Sequence, residues 1–304
     1  MSALQAVGLS KSFSDKQALL NLSFSIPKGR ITALLGPNGA GKTTTMRILT
    51  GFLEPDSGSI SFGPLSLSEN PIEVKRNLGY LPESAPLYGD LTAEETLEFI
   101  GQARGLKGEV LRRRIREMRE VCDLGDHFFA TIQSLSKGFR QRVALAGTLL
   151  HDPEYVILDE PSSGLDPNQI GQIRSIIRSL GKDKVVVLST HILQEAQEIC
   201  DHVLILNRGR MIADTSVSEM NRQDSVLVIA KTDLQAVRNC FLGTDVDIRE
   251  ESRLADTGTF RLKSSNWSPE SLFDKIRNAD FPVLEFRPVR KSLETVFREL
   301  TAPL

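Results

Sequence analysis

The chain has 304 residues, enough for one large domain or two modest ones, and its 25% charged and 40% hydrophobic side chains are those of an ordinary globular protein. A formal net charge of −2 excludes the global positive field that recruits nucleic acid or anionic lipid. No run of about 18 apolar residues could span a membrane, "MSALQAVGLSKSF" lacks a signal peptide's basic start and apolar core, and Cys122, Cys200 and Cys240 form no CxxC pair, so a cytoplasmic protein with incidental thiols is expected.

In chain order, short apolar runs at residues 4–9, 22–26 and 31–35 predict strands separated by turns such as "PKGR". A Gly-rich loop follows Leu35, and a helical pattern runs from Gly41 to about Leu49. From Thr92 to Leu150 the pattern is helical, opening with Thr92 and, three places on, Glu95, the capping-box spacing. β-Branched runs return at 155–160, 184–190, 202–207 and 210–214, the last two joined by a turn at Arg208-Gly209. Helical stretches at 168–179 and 192–200 lie between strands, which predicts a largely parallel sheet covered by helices. Beyond about Asn221, "SVLVIA", "LQAVRNCF", "VDIREE", "TFRLKSS", "PESLFDKIRN", "PVLEFRPV" and "SLETVFREL" read as strand, helix, strand, strand, helix, strand, helix. That order predicts a small α+β domain close to the split βαβ pattern. In "LRRRIREMRE", residues 111–120, Arg alternates with Glu on a predicted helix, the mark of a solvated face.

The stretch "GPNGAGKT" fits G-x-x-x-x-G-K-[ST] between a predicted strand and a predicted helix, the context this motif requires. Its glycines let Gly36, Pro37, Asn38, Gly39, Ala40 and Gly41 wrap closely enough for backbone N–H groups to point at phosphate oxygens. Lys42 would place an ammonium on the β- and γ-phosphates, the Thr43 hydroxyl would ligate Mg²⁺, and Thr44 ends the phosphate-binding run. Downstream, "YVILDEP" reads as a buried strand that delivers Asp159 and Glu160 together at its C-terminal end, where ligand sites of open parallel sheets gather. Asp159 would hold Mg²⁺, usually through water, and Glu160 is placed to orient or deprotonate an attacking water. A third stretch, "SLSKGFRQRVALA" from Ser134, is polar at first and turns helix-like at Gln141. A helix start rich in Ser, Gly and Lys has unpaired N–H groups that suit an anion.

In order as well as motif, "GPNGAGKTT", "GYLPES", "SLSKGFRQR", "YVILDEP", "SSGLDP" and "STHILQEA" resemble the ATPase subunits of ABC transporters. The resemblance covers residues 4–214, and "SKGFRQR" with "SGLDPNQ" is most similar to the gliding-motility-type and exporter ATPases. It implies a RecA-like P-loop NTPase core with an antiparallel β edge and a helical subdomain over about 84–153. The ATPase domain would run over 1–221 and a ferredoxin-like α+β accessory domain over 222–304. It further implies ATP and Mg²⁺ as ligands, ATP hydrolysis, and two ATPase chains paired head to tail. ATP would then lie between the phosphate loop of one chain and Ser136, Lys137 and Gly138 of the other. By the same resemblance Phe13 would stack on adenine, or else be a core aromatic; His191 would touch the γ-phosphate and align Glu160; and Asp166 would reach across the dimer while capping its own helix.

Three residues depart from the family pattern. Glu83 stands where Gln is usual and would ligate Mg²⁺ or its water, Lys137 replaces Gly, and Phe139 replaces Gln. Lys137 either adds positive charge near the phosphates or points to solvent. The implied partners are a second ATPase chain and integral membrane permease subunits, with "SAPLYGDLT" and the following helices forming the permease groove and the chain peripheral on the inner face of the cell membrane. The resemblance of the C-terminal region to exporter accessory domains favours export or motility-type membrane work, and no nucleic acid is expected. The alternative, a soluble ABC ATPase acting on ribosomes or DNA, would call for a second cassette, a coiled-coil arm or a zinc motif, none of which the sequence contains.

Overall fold

Alternating burial shapes the first two strands of the computed structural model, which describes residues 3–14, 16–220, 223–264 and 266–290. In β1 (Ala3–Phe13) Leu4, Ala6 and Leu9 point inward, and in β2 (Lys16–Pro27) Leu19, Leu22, Phe24 and Ile26 do so. By contrast β3 (Arg30–Leu35) is buried from Ile31 to Leu35, as a central parallel strand must be. The loop after it leads into α1 (Lys42–Leu49). Next come β4 (Ser57–Phe62), β5 (Leu65–Ser66), α2 (Pro71–Arg76) and β6 (Leu78–Leu81).

The helical region follows, with α3 (Ala93–Ala103), α4 (Gly108–Val121), two short 3₁₀ turns, and α5 (Lys137–Leu149). The Thr92–Glu95 capping box forms: Thr92 Oγ1 accepts the Glu95 N–H at 3.1 Å and Glu95 Oε2 accepts the Thr92 N–H at 2.8 Å. On α4, Leu111, Ile115 and Met118 face inward while Arg116 pairs with Glu109 at 2.8 Å, so the basic run is a solvated, ion-paired face.

The chain then alternates β7 (Tyr155–Asp159), α6 (Pro167–Leu180), β8 (Val185–Thr190), α7 (Leu193–Ile199), β9 (His202–Asn207), β10 (Arg210–Ser216) and a single turn, α8 (Val217–Met220). Its strands assemble in the order β10-β9-β3-β8-β7-β6, parallel except for the antiparallel edge strand β10. A second, antiparallel sheet has the order β2-β1-β4-β5. One core joins both sheets, with the rings of Phe62 and Tyr155 edge-on at 4.9 Å.

Two compact units divide between Val217 and Ser218. The second contains β11 (Gln223–Ala230), α9 (Leu234–Cys240), β12 (Asp247–Leu254), β13 (Thr257–Lys263), α10 (Pro269–Ile276) and β14 (Val283–Arg290). Their antiparallel order, β12-β13-β11-β14, is the ferredoxin-like βαββαβ arrangement. Val226, Val228, Val237, Phe260, Leu262 and Ile276 form its core. The helix expected at 292–300 lies outside the described residues.

Two readings are corrected. The helix expected from Gln141 begins at Lys137, because Ser136 caps it by accepting the Phe139 N–H at 3.3 Å. Between α1 and α3 the sequence predicts no elements, yet β4, β5, α2 and β6 occupy that span. Strand β6 is only "LGYL"; Gly79 belongs there because a β-carbon would sit 2.6 Å from the Thr148 carbonyl of α5.

Candidate functional site

The register of the parallel sheet brings the candidate residues together. Leu35 pairs with Thr190, Asp159 with Ser189, and Leu81 with Leu158, so β3, β8, β7 and β6 end at nearly one level. The segments beyond those ends carry the glycine loop, His191, Glu160 and Glu83. They enclose a cleft of about 380 Å³ lined by Asn38, Gly39, Gly41, Lys42, Thr43, Thr44, Glu83, Glu160 and His191, with Phe13, Lys16 and Ala18 from the antiparallel sheet.

The loop conformation requires glycine at two places. Gly39 and Gly41 have φ of 79° and 107°, and a β-carbon on Gly41 would stand 2.8 Å from the Ala18 carbonyl. Gly36 starts the turn, and the Ala40 N–H closes it on the Pro37 carbonyl at 3.1 Å. Lys42 is only 7% exposed; its Nζ donates to the Gly36 carbonyl at 2.8 Å and the Pro37 carbonyl at 3.4 Å, and lies 3.9 Å from Glu160 Oε1. Burial pushes its pKa below the ordinary lysine value, and Glu160, Asp159 and Glu83 offset part of that shift. A buried ammonium beside first-turn N–H groups of α1, which have no intrahelical acceptor, is a receptor for a polyanion.

The acidic side is strained and buried. Asp159 is 2% exposed and accepts a hydrogen bond from Ser189 Oγ at 2.5 Å. Burial pushes its pKa up, and the charge of Glu83 adds to the shift. Glu160 adopts φ of 48°, a left-handed conformation that costs a non-glycine residue about 1–3 kcal/mol and clusters at functional sites. Its N–H donates to Ser189 Oγ at 2.9 Å, and its Oε2 lies 2.8 Å from His191 Nδ1. An ionised carboxylate only accepts, so that contact assigns the proton to Nδ1. The Asp159 and Glu83 carboxylates and the Thr43 hydroxyl are hard oxygen donors, and the charge of Glu83 felt at Asp159 is one that a cation would offset, so the chemistry of this set fits Mg²⁺.

Ser136, Lys137, Gly138 and Asp166 do not line this cleft. Ser136 caps α5, and Asp166 Oδ1 caps α6 by accepting the Asn168 and Gln169 N–H groups at 3.0 Å each. The Gln169 side chain covers Gly138 where a β-carbon would project, and the Lys137 ammonium leans on Gly164. Phe139 is held within its own chain, its ring 4.1 Å from that of His127 and 4.0 Å from the Arg142 guanidinium. Lys16, Gln141, Ser162, Ser189 and Glu195 escaped the sequence reading. Gln141 donates to the Pro161 carbonyl at 3.1 Å, just past Glu160. The serine and threonine ending "VVVLST" were the available signal, since hydroxyls closing a buried strand need partners.

A strand, a glycine loop around a buried lysine and an acidic pair on a nearby parallel strand define a P-loop nucleoside triphosphatase fold. The sequence profile of the ABC transporter family matches residues 19–163. The chain is 38% identical over 225 residues to the uncharacterized ABC transporter ATP-binding protein YxlF of Bacillus subtilis, covering 74% of this chain and 75% of that one. It is 34% identical over 239 residues to the Nod factor export ATP-binding protein I of Ralstonia nicotianae, covering 77% and 74%. A solved ATP-binding subunit of an ABC transporter aligns with a TM-score of 0.66 at 33% identity, covering 72% of this chain and 92% of that one. The chain belongs to the ATP-binding subunits of ABC transporters. Among the described residues, no helix is long and apolar enough to cross a membrane.

Proposed function

We propose that this chain binds and hydrolyses ATP to drive membrane permease subunits, working as a head-to-tail pair on the inner face of the cell membrane. The observation that carries this reading is the convergence of Lys42, Thr43, Glu83, Glu160 and His191 on one cleft, with Asp159 buried beside it. Phe13 forms the open wall against which adenine stacks, with Lys11 Nζ 5.9 Å from the ring centroid on its own sheet. The N–H groups of the loop and first helical turn from Asn38 to Thr44 and the Lys42 ammonium receive the phosphates; in the process Lys42 exchanges its loop carbonyls for phosphate oxygens. Thr43, Asp159 and Glu83 would hold Mg²⁺, which when bound neutralises charge on the β- and γ-phosphates. Glu160 orients and deprotonates the attacking water, and His191 fixes the Glu160 carboxylate through its Nδ1–H.

The pairing rests on the segments left outside the cleft. In a head-to-tail pair Ser136, Lys137 and Gly138 complete the neighbour's γ-phosphate site: the capping oxygen of Ser136 still leaves its O–H to donate, and Gln169 must move off Gly138. Asp166 couples the two sites. For the permease, Tyr88 and Phe99 form an exposed edge-on aromatic pair at 5.8 Å in and just after "SAPLYGDLT", a surface suited to a cytoplasmic helix. The direction of transport is outward by analogy with the export protein of Ralstonia. Glu160→Gln tests the reading: it retains ATP binding, forms an ATP-dependent dimer by size-exclusion chromatography, and hydrolyses roughly 100- to 10,000-fold more slowly. Hydrolysis by that variant at the parental rate would refute it.

A further inference from the structure

Glu195 on α7 does not line the cleft, yet at 1% exposure it is the most deeply buried carboxylate among the described residues. A carboxylate is withdrawn from water at low cost only where both oxygens are hydrogen-bonded. Here the two oxygens take hydroxyl donors from two different segments, the turn after β7 and the last residue of β8. Ser162 Oγ donates to Oε1 and Thr190 Oγ1 donates to Oε2, the latter at 2.6 Å.

Those hydroxyls sit next to the proposed reacting groups. Ser162 lies in the tight turn after Glu160, where the Ser163 N–H reaches the Glu160 carbonyl at 3.0 Å. Thr190 precedes His191, and its Oγ1 also accepts the Ile192 N–H at 3.0 Å, fixing the turn that carries the imidazole. The Glu160–His191 contact at 2.8 Å spans the gap between the two segments. Holding α7 in place does not need this charge: Ala196 and Ile199 are buried, and Glu198 ties the helix to Arg174 and Arg178 of α6. An apolar residue at 195 would leave the buried Ser162 and Thr190 hydroxyls without this acceptor. Only a group with two acceptors joins the two hydroxyls.

We propose that Glu195 is a positioning residue that braces the Glu160 and His191 loops at a fixed separation and so sets the rate of ATP turnover without touching nucleotide. The inference rests on the reading of Glu160 and His191 given above. The test compares the full-length parent with Glu195→Gln, which keeps the shape, and Ser162→Ala, which deletes one bond. Folding is checked by thermal melting, turnover by steady-state ATP hydrolysis, and the His191 ring by its side-chain ¹⁵N shifts. Glu195→Gln is expected to lower kcat on the order of tenfold with KM for ATP within about twofold, and to shift the His191 ring nitrogens while those of His202 stay in place. Ser162→Ala is expected to move both readouts the same way by less, and it decides the matter if Glu195→Gln does not fold. Parental kcat in the folded variant, or a fall in kcat with an unmoved His191 ring, overturns the proposal. A Glu160→Gln protein that hydrolyses normally would instead overturn the underlying reading of the site, so the two failures are distinguishable.

Discussion

The two units treat charge in opposite ways. In the first, Lys42, Arg142, Asp159 and Glu195 are all buried. In the second, the buried polar residue among those described is Ser225, and the charges sit on the surface as pairs such as Arg249–Asp247 and Arg253–Glu250. Backbone strain occurs in both units: non-glycine residues adopt positive φ at Ser14, Asn21, Asp123, Asp152 and Arg208 in the first and at Ala255 in the second, all of them exposed, whereas Glu160 does so between a buried strand and the cleft. Burying an unpaired charge costs several kcal/mol and a left-handed carboxylate adds to that. In the first unit Lys42 and Glu160 bring such features to the cleft, with Asp159 buried beside it, whereas the β12-β13-β11-β14 sheet has an apolar core and carries its charges at the surface.

The comparison can be attacked from the second unit first. Phe260 is fully buried in its core, so Phe260→Ala is expected to destabilise that unit by about 3–5 kcal/mol, measured by chemical denaturation, with ATP binding retained by calorimetry. Loss of nucleotide affinity in the folded protein would show that the second unit takes part in the site. In the first unit Lys42→Ala removes the ammonium and leaves the Gly36 and Pro37 carbonyls without their donor. ATP binding is expected to weaken about 10- to 100-fold by calorimetry, and unchanged affinity would deny the loop its phosphate role.

How much of this was legible in the sequence follows from range. The glycine loop, Lys42, Thr43 and the pair Asp159–Glu160 are local patterns, each written within a few consecutive residues, and the structure assembles them at one sheet edge. The capping box at Thr92 was equally local. Strand β6 was not legible, because four residues with a glycine carry no usable alternation and it owes its place to β7 and α5. Glu195 was invisible for a related reason. On a helix flanked by Gln194 and Gln197 it reads as one more solvated side chain, and its partners Ser162 and Thr190 are respectively 33 and 5 residues away. Two of the three departures from the family pattern became intelligible only in three dimensions, where Phe139 fills the space between His127 and Arg142 and Lys137 leans on Gly164.

A smaller effect tests whether the buried acid burdens the fold. Burial and Glu83 hold the Asp159 carboxyl above its ordinary pKa, so the folded chain takes up this proton more readily than the unfolded one. By linkage, the unfolding free energy then rises as the pH falls through the interval between the two pKa values. Above both values the ionised group carries its full desolvation penalty. Asp159→Asn, which keeps an acceptor for Ser189 Oγ, is therefore expected to raise Tm by a few degrees at neutral pH in the absence of nucleotide and Mg²⁺. The gain is expected to vanish at a pH below both values, where parent and variant are both neutral at this position. Adding Mg-ATP should reverse the order, since ligand binding stabilises the parent and this variant has lost the carboxylate that would hold the ion. A variant no more stable than the parent at neutral pH would mean that Asp159 is accommodated without cost.

The weakest effect belongs to the paired surface of the second unit. Arg249 Nε lies 2.9 Å from Asp247 Oδ2 on edge strand β12, with both side chains exposed. Water screens such a pair, and holding two long side chains in one geometry costs conformational entropy, so a double-mutant cycle of Arg249→Ala and Asp247→Ala is expected to yield a coupling below about 0.5 kcal/mol. Raising the salt from about 0.1 M to about 1 M shortens the screening length from about 10 Å to about 3 Å and should erase what remains. A coupling well above about 1 kcal/mol that survives high salt would mean water is excluded from this pair in solution. Something would then cover the face of β12, and the charges of the second unit would have to be read as an interface, as deliberate as the buried charges of the first.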